Sequence, residues 1–253
     1  MSQEPVLVVV AHGSRDPRHP ATVHALVERV RSLRPGLRVE TGFLDFNLPS
    51  VPAVLESLAA EGVREVVALP LLLTRAFHAK ADIPAVLRGA PRGLRIRQAG
   101  VLGPSPLLVA GLERRLSEAG LGMSAGERSS TGIVLASAGS SDPEAVAGIG
   151  RLAREWGRRG GWGAVMPAYA SARLPRTEDA VRVLFAGGCE RVAVAPYVLA
   201  PGYLPDRIVR GAVGAGASVV GGVLGDCAEV ARVVLLRFEG ARGGELGAEA
   251  LGA

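Results

Sequence analysis

A single ungapped shift of 126 positions lays this chain on itself, and that self-similarity limits what it can fold into more than any other feature. The shift carries Gly13, Ser14, Asp16 and Pro17 onto Gly139, Ser140, Asp142 and Pro143. It also carries Leu48-Pro49 onto Leu174-Pro175, Gly62 onto Gly188, Pro70 onto Pro196 and Leu73 onto Leu199. Near the end the register drifts to 122, where Val101-Leu102-Gly103 matches Val223-Leu224-Gly225. Two copies of one folding unit are implied. The expected halves are residues 1–122 and 130–253, joined by the Gly/Ser-rich stretch Gly120 to Gly132.

Within each copy, short apolar runs alternate with amphipathic stretches. Val6 to Ala11, Val39 to Leu44, Val63 to Leu73 and Ile96 to Leu102 have the length and continuity of parallel strands buried on both faces. Ile133 to Ser137, Ala164 to Tyr169, Val192 to Leu199 and Val219 to Leu224 repeat the set. The expected class is α/β, as two similar doubly wound parallel-sheet halves from internal duplication. A length of 253 residues buries enough surface to fold without staples, and Cys189 and Cys227 stand far apart in no CxxC pattern. They read as small buried or half-buried thiols of a reducing compartment. The opening run Val6 to Ala11 is too short for a signal core or a membrane span, so a cytoplasmic protein with no membrane partner is expected.

A net charge of +5 favours acidic partners. Nucleic acid is not expected: Lys80 is the only lysine among 29 basic residues, the arginines are spread out, and no aromatic ladder accompanies them. A polycarboxylate small molecule suits the charge equally well. A nucleotide fold is disfavoured because neither GxGxxG nor a P-loop follows any expected strand.

In doubly wound sheets, ligands sit beyond the carboxyl ends of the strands. In the first copy those ends lead into His12-Gly13-Ser14-Arg15-Asp16-Pro17, Asp45-Phe46-Asn47, Thr74 to His78 and Gly103-Pro104-Ser105. The shift places Ala138 opposite His12, Ser171 opposite Asp45 and Leu204 opposite His78, so the second copy keeps the glycines and prolines and loses every candidate ligand. Two imidazoles and a carboxylate suit a divalent first-row metal, and imidazole also takes protons near neutral pH. Read alone, a histidine such as His12 is more often a backbone-bonded structural residue than a catalytic one, and Asp45 is more often a helix-entry or loop carboxylate than a ligand. Asp16 and Pro17 read as a helix start because both recur. His19 and His24 read as solvated or partly packed helix histidines, and Arg18 as a surface charge.

These segments resemble the sirohydrochlorin chelatases of the class II chelatase superfamily, in their two-domain form. Val8 through Pro17 is similar to the family's opening strand and histidine loop; Pro70-Leu71-Leu72-Leu73 through Phe77-His78-Ala79-Lys80-Ala81-Asp82-Ile83-Pro84 is similar to its second signature. Phe43-Leu44-Asp45 followed by Pro49-Ser50 is similar to its phenylalanine-leucine-acid segment, with aspartate where many members carry glutamate. The resemblance implies halves facing each other across a cleft and a monomer whose pseudo-dimeric halves replace the subunits of single-half relatives. It implies His12 and His78 as catalytic residues, with His12, His78 and Asp45 as metal ligands. Gly13, Ser14, Arg15, Arg75 and Lys80 are then expected to bind the substrate's carboxylates, the first two through backbone N–H groups. The implied reaction inserts Fe2+ or Co2+, with Ni2+ as a further candidate, into sirohydrochlorin for sirohaem or cobalamin synthesis. The divalent metal is a substrate and no permanently bound cofactor is expected. The alternatives are a non-catalytic carrier of tetrapyrrole or metal and a chelatase for another porphyrin.

Overall fold

The structure, a computed structural model, describes residues 4–75 and 78–243, with His78 and Ala79 by backbone alone. Strands β1 (Val6–Ala11), β2 (Val39–Phe43), β3 (Glu65–Pro70) and β4 (Arg95–Gln98) form one sheet in the order β2-β1-β3-β4. Strands β5 (Thr131–Ser137), β6 (Ala164–Tyr169), β7 (Arg191–Tyr197) and β8 (Val219–Val220) form a second in the matching order β6-β5-β7-β8. Every pairing is parallel. The expected class, two similar α/β halves, is what the chain adopts.

The central strands explain why the runs were legible. All six residues of β1 and all seven of β5 are buried, because helices cover both faces of a parallel sheet and no position can alternate towards water. The helices show the complementary pattern. Helix α1 (Arg18–Leu33) buries Val23, Leu26, Val27 and Val30, one stripe at helical spacing. After α2 (Val51–Ala60), a π-helical turn (His78–Asp82) runs into α3 (Ile83–Arg88). The sheet is followed by α4 (Pro106–Glu118), and the second repeat adds α6 (Pro143–Gly160), α7 (Thr177–Ala186), α8 (Tyr203–Gly214) and α9 (Ala228–Gly243).

The stretch expected as a linker is partly helical. Between α4 and β5, α5 (Ala125–Ser130) is started by a capping box in which Ser124 Oγ accepts from the Glu127 N–H and Glu127 accepts from the Ser124 N–H. Several strands are shorter than their apolar runs. The β3 run leaves the sheet after Pro70, where the Leu71 N–H reaches back to the Val10 carbonyl at 2.8 Å, and β8 stops before Gly221-Gly222.

The compact units divide the chain at other places than the repeat does. One unit ends at Ser105 and resumes at Asp226; the other runs Pro106–Gly225. Helix α4, written in the first repeat, therefore packs with the second sheet, and α9, written in the second repeat, packs with the first. In the first unit Arg237 of α9 donates to the Val101, Leu102 and Pro104 carbonyls at 2.8, 2.9 and 3.2 Å. In the second unit Arg115 of α4, its repeat counterpart, donates to the Leu224 carbonyl at 3.1 Å. Among the described residues no helix is long and apolar enough to cross a membrane.

Candidate functional site

The carboxyl ends of β1 and β2 build one interlocked corner. Gly13 takes φ +92°, and a Cβ there would lie 1.8 Å from the Asp45 carbonyl oxygen, so the two loops touch along their backbones and only glycine fits. The Asp45 N–H donates to the His12 carbonyl at 2.9 Å, and the Ser14 N–H donates to Asn47 Oδ1 at 2.8 Å. Ser14 Oγ accepts from the Asp16 N–H at 3.1 Å, and an Asp16 carboxylate oxygen accepts from the Arg18 N–H at 3.0 Å; the N-cap itself is Pro17, one residue later than expected and without a side-chain cap bond, whereas in the second repeat Asp142 is the N-cap with Pro143 following.

The second repeat reproduces this corner almost bond for bond. Gly139 has φ +94° with its Cβ position 2.1 Å from the Ser171 carbonyl oxygen, and the Ser171 N–H donates to the Ala138 carbonyl at 3.0 Å. The duplicated glycines and prolines thus serve loop geometry. What separates the two corners is the side chains they carry.

His12 stands exposed at the end of β1, its ring edge-on to the Phe46 ring with centroids 6.3 Å apart. Asp45 is also exposed, and one of its carboxylate oxygens accepts from the Phe46 N–H at 2.8 Å, so part of its capacity closes its own turn. Arg15 is exposed with its guanidinium 5.2 Å from the Phe46 ring centroid. Arg75 and Lys80 are exposed near the end of β3. The Ser14 N–H, expected to hold a substrate carboxylate, is already taken by Asn47, and Gly13 is buried.

His78 opens the π-helical turn, and its side chain lies outside the described residues. The corresponding stretch of the second repeat, from Leu204, is regular helix within α8. A π turn confined to the histidine-bearing copy is the local irregularity that often marks functional sites. Among the described residues no three His, Cys, Asp or Glu side chains gather to hold an ion; the expected set includes the His78 side chain.

Sequence reasoning missed two residues here, Asn47 and Phe46, while His19 is partly packed as expected. Asn47 locks the His12 loop to the Asp45 loop. Phe46 adopts φ +61°, a left-handed conformation that costs a bulky residue about 1–3 kcal/mol. His19, in the first turn of α1, is half-buried with its Nδ1 unpartnered; burial, and next the charge on His12, push its pKa below the ordinary 6.5. The other expectations hold: His24 is exposed against the edge of Phe43, Arg18 pairs with Asp16 at the surface, and Cys189 and Cys227 are free thiols. Burial raises the Cys189 pKa, which keeps it protonated at neutral pH.

The model of the CbiX family matches twice, over residues 6–119 and 132–241. The chain belongs to the CbiX family. The two matches fall on the two repeats, so each copy carries the family's sequence pattern. The chain is 25% identical over 206 residues to a sirohydrochlorin cobaltochelatase of Priestia megaterium, a match over 80% of this chain and 66% of that protein, just under two thirds of its length. It is 26% identical over 207 residues to a sirohydrochlorin ferrochelatase of the same organism, covering 80% of this chain and 76% of the relative. In fold it is similar to the solved structure of SirB from Bacillus subtilis with Fe3+, with a TM-score of 0.81 over 94% of this CbiX chain and 96% of that one, at 24% identity.

Proposed function

We propose that this chain is a sirohydrochlorin chelatase, a lyase that inserts Fe2+ or Co2+ into sirohydrochlorin for sirohaem or cobalamin synthesis. One observation carries the reading: two corners share one backbone scaffold, yet all four histidines of the chain lie in the first repeat. A scaffold kept twice with imidazoles in one copy fits a reaction that needs one metal-handling centre. The names of the two relatives supply the substrate.

In this reading His12 and His78 hold the ion as neutral imidazoles, and the Asp45 carboxylate offsets the cost of keeping a dication beside the ring. Arg15, Arg75 and Lys80 hold the macrocycle's carboxylates. Gly13 and Ser14 shape the His12 loop instead of binding substrate directly. As the ion enters the ring, two pyrrole N–H protons leave, and the imidazoles relay them. The chain works as a cytoplasmic monomer, its repeats taking the place of paired subunits, and the ion is substrate throughout.

The test is an anaerobic absorbance assay of sirohydrochlorin with ferrous, cobaltous or nickel ion. His12→Ala and His78→Ala each lower the rate by about 100-fold or more, the size of a lost acid–base group. Equal rates in the wild type and both variants end the assignment. A wild type that binds the macrocycle and turns over none of the three ions is a carrier instead.

A further inference from the structure

Phe46 is the residue of the site corner that neither the scaffold nor the metal chemistry accounts for. Its backbone sits at φ +61°, and Ala172, at the same place in the second repeat, sits at φ +60°. The turns around them match: the Asn47 and Arg173 N–H groups reach the Asp45 and Ser171 carbonyls at 2.7 Å, and the Phe43 and Tyr169 N–H groups reach the Pro49 and Pro175 carbonyls at 3.0 Å. The left-handed conformation therefore belongs to the turn, and a methyl side chain satisfies it. The first repeat carries a benzyl group there and leaves it 49% exposed, in a chain with only 4% aromatic residues and with Phe43 and Phe238 wholly buried. An aromatic ring kept out of the core at a strained position gains little for folding beyond its surface contacts with neighbouring side chains.

The ring is nevertheless held in place. The Arg15 guanidinium lies 5.2 Å from its centroid, a cation–π distance, and the His12 imidazole meets it edge-on at 76°. Arg15 thus lies over one face of the ring and the His12 imidazole stands nearly perpendicular to it, while the residue stays half exposed, an arrangement that pairs an apolar ring with a cation as a planar ligand with carboxylates on its rim requires. We infer that Phe46 is the stacking platform for the macrocycle, laying one pyrrole ring beside His12 and its rim carboxylate within reach of Arg15. This rests on the chelatase reading and adds to it the residue that sets the plane of the substrate.

The experiment is a metal-free titration of sirohydrochlorin into the intact protein, read by macrocycle fluorescence, with melting temperature and Co2+ affinity measured on the same samples. Phe46→Gly removes the ring and adopts positive φ without a Cβ penalty, so a structural role predicts no harm from it. Stacking predicts macrocycle binding weakened about tenfold, the size of one lost aromatic stacking contact, with melting temperature and Co2+ affinity held. Phe46→Trp restores the binding and Phe46→Leu does not. Wild-type affinity in Phe46→Gly, or a loss of binding that follows a fall in melting temperature, overturns the platform and leaves the chelatase reading standing. A wild type with no affinity for sirohydrochlorin overturns that reading, and the platform falls with it.

Discussion

Two titrating side chains at the entrance of α1 show how much a few atoms decide. Asp16 is hydrogen-bonded by the Arg18 guanidinium at 2.6 Å, and that contact first, with the Arg18 N–H next, holds its carboxyl at about 2. It therefore stays ionised beside the first turn of α1 through the whole physiological range. His19, one residue beyond Arg18, is lowered too, but by burial, which disfavours its charged form, so the folded protein binds that proton less readily than the unfolded chain does. The sign follows from linkage. Between the lowered folded value and 6.5 the unfolded state carries more protons, so stability is full above pH 6.5 and falls as the solution is acidified below it. Denaturant midpoints from pH 8 to pH 5 decline more in the wild type than in His19→Gln; parallel declines contradict the assignment. Nothing in the sequence distinguished His19 from His24, because both lie on one helix and only the packing around α1 separates a half-buried ring from an exposed one.

At the scale of elements, strands β1 and β6 occupy the residues their apolar runs mark out; β1, inside its sheet, is buried throughout, whereas β6, at the edge of its sheet, is fully buried only at Ala168 and Tyr169. The β3 and β8 runs overshoot because apolar residues continue past the last ladder bond into loops that still pack inward, Leu71 and Leu224 both being buried. Helix α5 was readable as a Ser-x-x-Glu capping signature, yet the glycines and serines around it dominate the composition. The terminal helices were visible as helices but not as partners of a particular sheet. Leu112 in α4 and Phe238 in α9 are fully buried, so truncating either to alanine costs about 2–5 kcal/mol. Leu112→Ala lowers hydrogen-exchange protection in β5 and β7, and Phe238→Ala lowers it in β1 and β3. The reverse assignment, each helix protecting the sheet of its own repeat, is the result that rules out the exchange of helices.

For the whole molecule, that exchange makes a cut at the repeat boundary costly. A fragment ending at residue 122 holds the first sheet without α9, and a fragment starting at 123 holds the second without α4, so each lacks a buried helix of its own core. Expressed apart, neither fragment gives a cooperative melt; refolded together, they recover one. A single fragment that melts cooperatively alone contradicts this.

Duplication, fold class, the order of the strands and the placing of every imidazole in one repeat were all determined by sequence, though not where each strand ends, because periodicity and turn chemistry are local and repeat wherever the residues do. Pairings between distant residues were decided only by the tertiary structure. Asn47 takes the Ser14 N–H across 33 positions, Arg237 holds the Leu102 carbonyl across 135, and Phe46 keeps its ring beside His12. An amphipathic stripe or a free carbonyl reads the same whichever partner meets it, and the choice is made by packing, after the local structure has formed.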